Sequence, residues 1–420
     1  MARSPSLAAA ELELAPRGSR LNPLRLLSAL VGLGLWIAFV ALASRTSHYL
    51  VFLSRYSREY AVLLALVAAA ATLVTLLQLP RVWAAFYGNR FALLWLGVVC
   101  PLLALGAIEG SMRLLNLLGS EFYSEIRRYM SVLQPDAQLY FKNPVAYRGV
   151  YQRVEIATNE LGLRDRPLEE SPPARERLLV LGDSVAFGWG VKVEDTFPRQ
   201  LERHPALRAI PLRTVNSAVP GYNTHQEWMF LKTYAQRVHP NAVLLLYVDN
   251  DIDPIDPLRV HMGVRPGLWR DPRGVLDYYL SMSRLYFMVR HMAPFLLGPA
   301  VPVAQKRATP GWRDSFESLA EIARYCRNAG MPLAAFHFRM MPDPTSNALE
   351  SDLAALAQTE RFLYRDTLPW FQGRNIRRLT NSFIDTHPNA EGHRILAEGI
   401  SRVLLDAGIL PGAPPLSAVK

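Results

Sequence analysis

The chain contains very little cysteine, and it has no glycine-rich phosphate loop. Only Cys100 and Cys326 occur among 420 residues, so a disulfide framework is excluded and no Cys/His spacing indicates zinc. The segment Gly188-Trp189-Gly190 lacks the rest of any phosphate-binding motif. The sequence therefore predicts neither a metal site nor a cofactor.

Compact basic blocks are also missing, although the formal net charge is +10. A basic balance is typical of proteins that bind nucleic acid or anionic lipid. Here the basic residues are mostly scattered arginines without interleaved aromatic residues. We therefore expect no nucleic-acid partner.

Charge is absent from three stretches near the N-terminus, at residues 26–44, 60–80 and 91–108. A bilayer core needs roughly 20 apolar residues per helix, and these stretches lack charge all round the helix rather than on one face. We expect a cytoplasmic tail at 1–24 and a transmembrane region with three helices at 25–112; a soluble helical bundle is the alternative. The arginines of the tail favour a cytoplasmic N-terminus, and three spans would then put the rest of the chain outside the cytoplasm, in the periplasm.

The chain beyond residue 112 divides at a proline-rich boundary. We expect a connector at 113–176, because Ser171-Pro172-Pro173 is typical of a domain boundary. Strand and helix patterns alternate over 177–420, which predicts an α/β domain with a parallel sheet and helices on both faces. A stretch at about 253–311 interrupts this alternation, and it is either a binding element or an ordinary packed excursion.

Local signals predict several elements of this domain. A capping box at Thr224 opens a helix that ends near residue 238. The further predicted elements are a helix at 313–329 with Cys326 on its buried stripe, a strand at 332–338, and a last helix from a cap at Asn389 to about 405.

A serine follows one of the predicted strands almost directly. Residues 178–181 are apolar and predict a short buried strand, Gly182 ends it, and the next helix is expected only near Asp195. Ser184 would thus lie at the sheet edge where α/β proteins bind ligands. The alternative is a serine that caps a helix. A serine is a weak nucleophile until a base takes its proton, so a catalytic role would need a base elsewhere in the chain.

Three further polar blocks follow in the chain: a glycine turn at Gly221, the pair Asn250-Asp251 after a buried strand, and Asp385-Thr386-His387-Pro388. Together with Gly182-Asp183-Ser184 they resemble the SGNH (GDSL-type) hydrolase family, over roughly residues 177–405. Asn159-Glu160-Leu161-Gly162-Leu163-Arg164 is similar to segments of membrane-anchored relatives. The resemblance implies a flavodoxin-like three-layer α/β/α domain and a membrane-anchored serine esterase.

The resemblance also implies a role for each block. Ser184 would be the nucleophile, His387 the general base and Asp385 the carboxylate that orients it. The Ser184 amide, the Gly221 amide and the Asn250 side chain would stabilise the oxyanion; a plain turn is the alternative at Gly221.

Three more residues have expected supporting roles. Asp183 and Asp251 would brace the loops of the site. His393 lies on the last predicted helix, and we expect it to be structural.

One spacing departs from the family. Asp385 lies two residues before His387, whereas the common spacing of three would place the acid at Ile384. Residues two apart in extended backbone point to the same side, so the contact is feasible. The shorter spacing is similar to that of the alginate O-acetyltransferase branch.

Three functions therefore stay open. They are an esterase that cleaves a carboxylic ester through an acyl-enzyme, an O-acyltransferase acting on an envelope polysaccharide, and a non-catalytic membrane subunit that binds a glycan or a partner. The expected substrate is an acyl ester, for example an acylated glycan or lipid. The oligomeric state is not predicted.

Overall fold

The computed structural model describes residues 23–44, 58–87, 100–116, 119, 121–168, 176–254, 280, 283–286, 289–290, 303–342 and 344–410. The chain divides into two compact units, Met1–Leu117 and Leu118–Lys420. Nearly all of the predicted tail, half of the predicted span at 91–108 and most of the predicted insertion lie outside the described residues.

The first unit is helical. Its helices are α1 (Pro23–Ala43), α2 (Arg58–Leu76), α3 (Pro80–Tyr87) and α4 (Cys100–Leu115). Helices α1 and α2 pack together, and the indole Nε1 of Trp36 donates to Thr75 Oγ1 at 3.1 Å. Within the part of the chain that the structure describes, no helix combines the length and apolar character needed to cross a membrane. The predicted spans at 26–44 and 60–80 fall on α1 and α2, and the first half of the span at 91–108 lies outside the described residues.

The second unit begins with small elements that the sequence analysis treated as a connector. They are α5 (Glu121–Met130), the antiparallel pair β1 (Gln134–Asp136) and β2 (Tyr140–Lys142), and the antiparallel pair β3 (Arg148–Tyr151) and β4 (Val154–Ala157). Their residues Tyr129 and Phe141 are buried in one continuous core with the strands that follow. Asn159 orders the next turn, because its Oδ1 accepts the amides of Leu161 and Leu163 at 2.9 and 3.0 Å.

A parallel sheet forms the centre of this unit, as predicted, and it has five strands. Its strands are β5 (Glu176–Gly182), β6 (Leu212–Asn216), β7 (Ala242–Tyr247), β8 (Leu333–His337) and β9 (Leu363–Asp366), in the order β6-β5-β7-β8-β9. This is the flavodoxin-like order, which reverses direction between β5 and β7 and opens a crevice there. Strand β7 is buried along its whole length, which explains its uninterrupted apolar sequence.

Helices connect these strands. They are α6 (Ser184–Phe187), α7 (Phe197–Arg203), α8 (Thr224–Val238), α9 (Val303–Arg307), α10 (Pro310–Asn328), α11 (Pro344–Glu360), α12 (Leu368–Phe371) and α13 (Ala390–Asp406). Right-handed crossovers place α8, α10 and α11 on one face of the sheet and α7 on the other. Helix α8 packs on α10, and α13 packs on α7, so helices cover both faces.

Several predicted element boundaries were wrong. A helix starts at Ser184 itself rather than near Asp195, because the Asp183 side chain caps it. Helix α8 is capped by Asn223, not by Thr224, which is buried instead. Helix α10 starts at Pro310 behind a Thr309 cap, three residues earlier than predicted.

The final helix matches its prediction closely. Helix α13 follows Asn389, whose side chain accepts the amides of Glu391 and Gly392. By contrast, α11 and β9 had no counterpart in the sequence analysis. Strand β9 is an edge strand that is only half buried, so its residues show no clear apolar run.

Candidate active site

The nucleophile loop begins where β5 ends. Gly182 has φ = 156°, and a Cβ at this position would lie 2.6 Å from the Cβ of Ala186, so only glycine lets α6 start this close to the strand. Asp183 Oδ1 accepts the Val185 amide at 2.8 Å. Ser184 is therefore held on the first turn of a helix at the β5–β7 crevice.

Ser184, His387 and Asp385 form one continuous hydrogen-bonded chain. Ser184 Oγ lies 2.8 Å from His387 Nε2, and His387 Nδ1 lies 2.6 Å from Asp385 Oδ1. The Asp385 carboxylate is 1% exposed, so the acceptor for the Nδ1–H group is shielded from water. The spacing of two residues thus allows the contact, and the His387 amide also donates to Asp385 Oδ1 at 3.1 Å.

The Asp385 loop is tied to the nucleophile loop. Asn381 Nδ2 donates to Asp385 Oδ2 at 3.1 Å and to the carbonyl of Trp189 at 2.9 Å. The Asp385 amide donates to Ser382 Oγ at 2.9 Å. Because Trp189 lies two residues after the end of α6, Asn381 links the acid to the segment that carries Ser184.

Opposing effects act on the pKa of His387. Burial lowers it, but the charge of Asp385, the hydrogen bond to that carboxylate and the charge of Asp183 together outweigh burial, and the pKa is raised above the ordinary imidazole value. A more basic imidazole is a better proton acceptor. The arrangement can therefore take a proton from Ser184 Oγ and stabilise the resulting imidazolium.

The three predicted oxyanion donors follow neighbouring strands. Ser184 follows β5, Gly221 lies in the turn after β6 with φ = 86°, and Asn250 lies in the 3-10 turn Asp249–Ile252 after β7. Carboxyl ends of parallel strands meet at one edge, so all three belong to the same edge as His387. Asn250 Nδ2 donates to Asp183 Oδ2 at 3.1 Å.

Carboxyl groups are buried behind this edge. Asp183, Glu227 and Asp251 are each 1% exposed, and Asp251 Oδ2 accepts the Val248 amide at 2.7 Å. Burial raises the pKa of Glu227 well above its usual range, and the charge of Asp183 raises it further. Burial and the charges of Glu227 and Asp183 do the same to Asp251. Burial therefore disfavours the ionised form of both carboxyl groups.

Two other singled-out residues lie in the core. Nδ1 of His393 accepts the Phe197 amide at 3.2 Å, and the two rings stack. Burial, followed by the charges of Arg164 and His387, lowers the pKa of His393 to about 3, so this ring stays neutral. Burial raises the pKa of the Cys326 thiol to about 12.

Among the described residues, no group of three or more His, Cys, Asp or Glu could hold a metal ion.

Sequence reasoning missed three contributors to this site. They are Asn381, Phe122, whose ring lies 5.7 Å from that of His387, and Arg164, which contacts the loop after α6. Asn381 and Phe122 lie in no recognisable motif. Arg164 ends the Leu-Gly-Leu-Arg segment, which was a signal for its position but not for its contacts.

Comparison with known families decides the class of the protein. The GDSL-like Lipase/Acylhydrolase family matches residues 180–395, just over half of the chain. The chain belongs to this family. It is therefore an enzyme of the SGNH/GDSL hydrolase type, and the hypothesis of a non-catalytic subunit is wrong. The matched region contains all four polar blocks.

Comparison with solved structures found similarity to TesA and to two proteins named as esterases. TesA has 16% identity, with 55% of this chain and 98% of that chain covered and a TM-score of 0.36. A catalytic mutant of Axe2, an acetylxylan esterase from Geobacillus stearothermophilus, has 15% identity, 55% and 95% coverage and a TM-score of 0.36. The psychrotrophic esterase EstA from Pseudoalteromonas sp. has 14% identity, 54% and 95% coverage and a TM-score of 0.35. No curated protein sequence matches the chain.

Proposed function

We propose that the enzyme cleaves a carboxylic ester through an acyl-enzyme on Ser184. The observation that carries the proposal is the hydrogen-bonded chain from Ser184 Oγ through His387 to Asp385, at 2.8 and 2.6 Å. These distances lie within the reach that proton transfer requires. The family supports ester hydrolysis as the reaction class, and the acyl and alcohol parts of the substrate are still to be identified.

Each residue has one role in this reaction. Ser184 Oγ attacks the ester carbonyl while His387 Nε2 takes its proton, and Asp385 stabilises the imidazolium. The oxyanion receives hydrogen bonds from the Ser184 and Gly221 amides and from Asn250 Nδ2, each donor being worth about 3–4 kcal/mol in such sites. Collapse expels the alcohol, which takes the proton from His387. Water then attacks the acyl-enzyme by the same route.

Asp183 has a supporting role in this scheme. Its Oδ2 accepts from Asn250 Nδ2 at 3.1 Å and lies 3.1 Å from Ser184 Oγ. One carboxylate therefore aligns the nucleophile with an oxyanion donor. Asp251 braces the turn that carries Asn250, through the Val248 amide.

A panel of acyl esters tests the proposal. We expect the full-length protein in detergent to hydrolyse p-nitrophenyl esters of some chain length and to form a covalent adduct at Ser184 with an alkyl phosphonate. Ser184→Ala serves as the background. An absence of both turnover and adduct across the panel would contradict an esterase mechanism.

Acyl transfer is the second candidate function. The observation in its favour is the Asp-x-His spacing, which is similar to that of the alginate O-acetyltransferase branch. Adding oligosaccharide acceptors to the same panel separates the two reactions. An esterase gives free acid at an unchanged rate, whereas a transferase gives acylated sugar and turns over faster with the acceptor.

We also propose that the first unit anchors the enzyme to the cell membrane, with the catalytic unit outside the cytoplasm. The support is the three uncharged stretches of the sequence and the surface of α1, where Leu27, Ile37 and Val40 expose 59%, 61% and 63% of their area. Exposed apolar patches of this kind mark interaction sites.

Membrane fractions test the anchor. We expect the protein to resist alkaline carbonate and to be released by detergent. Reporter fusions at 46–58, at 81–90 and at the C-terminus test the orientation. Release by carbonate alone would contradict an integral anchor.

A further inference from the structure

We propose that Arg164 is a positioning residue for Ser184, an inference that rests on the proposed role of this serine. Its guanidinium donates to three carbonyls at and after the end of α6, the helix that begins with Ser184. They are Phe187 O at 3.0 Å, Gly188 O at 2.6 Å and Val191 O at 2.8 Å. A fourth bond reaches Glu155 O at 3.2 Å. One side chain thus fixes the whole segment from Phe187 to Val191.

The segment needs such a partner because α6 is a single turn. Within it, the Trp189 and Gly188 amides use the carbonyls of Ser184 and Val185. The Phe187 carbonyl, the last of α6, has no helical partner, whereas the Gly188 carbonyl accepts the Val191 amide at 3.2 Å. A buried carbonyl without a hydrogen bond costs about 1–3 kcal/mol, and Arg164 supplies a donor to the Phe187 carbonyl and a second donor to the Gly188 carbonyl from outside the helix.

The environment of Arg164 is unusual for an arginine. It is 2% exposed, and in the described part of the chain it forms no ion pair. Burial lowers its pKa to about 10, so it is still charged at neutral pH. A buried cation that contacts only neutral groups among the described residues, here backbone carbonyls and the Phe187 ring at 5.0 Å, is costly. Stability alone does not favour that arrangement. The need to hold the α6 turn and its Ser184 in a fixed position accounts for it.

The same segment reaches the other half of the site. Asn381 donates to the carbonyl of Trp189 and to Asp385. The segment is therefore held by Arg164 on one side and by the Asp385 loop on the other. Displacement of the segment would change the Ser184–His387 geometry, and a misplacement of about 1 Å costs on the order of 100-fold in rate.

The chain contains a matched control. Arg213 is equally buried, with a side-chain exposure of 2%, but it pairs with Asp165 at 3.0 Å near the amino end of β6. A lysine at either position keeps the charge and loses the planar donor fork. The variants Arg164→Lys and Arg213→Lys therefore change two buried arginines, one held by backbone carbonyls and one paired with a carboxylate.

The experiment measures Ser184 phosphonylation by a p-nitrophenyl alkyl phosphonate, steady-state kcat and KM, and Tm for the full-length protein. We expect Arg164→Lys to slow phosphonylation and kcat by about 10–100-fold, with KM and the apparent pKa of the acid limb unchanged. We expect Arg213→Lys to lose stability while it reacts at the wild-type rate.

Two results would overturn the inference: a normal phosphonylation rate in folded Arg164→Lys, or an equal loss of rate in both variants. Arg164→Gln, which keeps two donors, provides the same measurement if the lysine variant does not fold, and it should also react slowly. The phosphonate reports on Ser184 without a natural substrate. A wild-type protein that forms no adduct would refute the proposed function. If Ser184→Ala forms no adduct and the Arg164 variants form it slowly, the result supports both the proposed function and the positioning role of Arg164.

Discussion

Two regions of the second unit hold buried charge differently. Beside the edge strand β6, Arg213 and Arg199 lie 3.0 and 2.8 Å from Asp165, so this buried carboxylate is paired with guanidinium groups. At the carboxyl end of the parallel strands, Asp183, Glu227, Asp251 and Asp385 are buried and, in the part of the chain that is described, none of them pairs with arginine or lysine. Asp385 contacts the imidazole of His387 instead.

This difference separates stability from chemistry. Pairing beside β6 satisfies both charges. At the carboxyl end of the strands, the charges of Asp385 and Asp183 outweigh burial and raise the pKa of His387. Sites that break the ordinary rules of burial are typical of function, and their cost is offset elsewhere in the fold. The predictions below test this division, beginning with the largest expected effect.

Ser184→Ala should abolish ester turnover and leave the fold intact. The loss should be on the order of 10⁶-fold in kcat, because the nucleophile and its base act as a unit. Ester hydrolysis and Tm are the measurements. Ser401→Ala, at a fully buried serine of α13, is the control and should retain activity. Turnover near the wild-type rate in Ser184→Ala would remove this serine from the mechanism.

Asp385→Asn should cost roughly 10⁴-fold in acylation, because the amide favours the wrong tautomer of His387 and no longer stabilises the imidazolium. The base works only when neutral and its pKa is raised, so wild-type activity should rise with pH through that raised pKa. The acid limb of the asparagine variant should move to lower pH. Pre-steady-state acylation across pH measures both effects.

Asp183→Asn is the companion variant. It should lose less activity, because Asp183 aligns the loop and does not contact His387 through a hydrogen bond. An equal loss in both variants, or normal acylation in Asp385→Asn, would argue for a Ser–His dyad supported by another group.

Arg213→Ala should destabilise the protein by about 3–5 kcal/mol, because it leaves Asp165 buried with one partner fewer. The activity of each folded molecule should not change, since among the described residues no hydrogen bond joins Arg213 or Asp165 to Ser184, His387 or Asp385. Denaturant unfolding and active-site titration measure the two quantities. A parallel loss of activity per titrated site would show that the two regions are coupled.

Glu227→Gln should give the smallest effect, with a sign that depends on pH. A carboxyl group whose folded pKa is raised contributes stability at low pH, and that stability is lost as pH rises through the folded pKa. The glutamine side chain of the variant does not ionise, so the variant does not lose this stability beside Asp183 and Asp251. The variant should therefore gain a few degrees in Tm near pH 8 and little near pH 5.

Glu360→Gln should change with pH in the opposite direction. The hydrogen bond from Arg324 lowers the pKa of Glu360, against a smaller opposing effect of burial, so its stabilising contribution is present above its unfolded pKa and is lost in acid. The glutamine variant should be less stable than wild type at neutral pH. Identical pH dependence in the Glu227 and Glu360 variants would contradict the difference between the two environments.

Local sequence was sufficient for the parts that depend on local patterns. The apolar runs of β5 and β7 predict buried parallel strands because such strands are covered on both faces. The residues that follow these strands predict one edge of the sheet, since parallel strands end together. The cap at Asn389 was also readable, because a cap needs only the next three residues. The resemblance carried by the four polar blocks then indicated the family.

Tertiary structure decided the rest, because the contacts join residues far apart in the chain. Arg164 reaches Gly188 across 24 residues, and Asn381 reaches Trp189 across 192; no periodicity records such a pair. The identity of the α8 cap, Asn223 rather than Thr224, depends on the packing that buries Thr224 against Ser315. Local patterns thus determined which residues stand at the catalytic edge. Only long-range packing decided which side chains hold them there, because hydrogen-bond partners in a folded core are selected by distance in space and not by distance along the sequence.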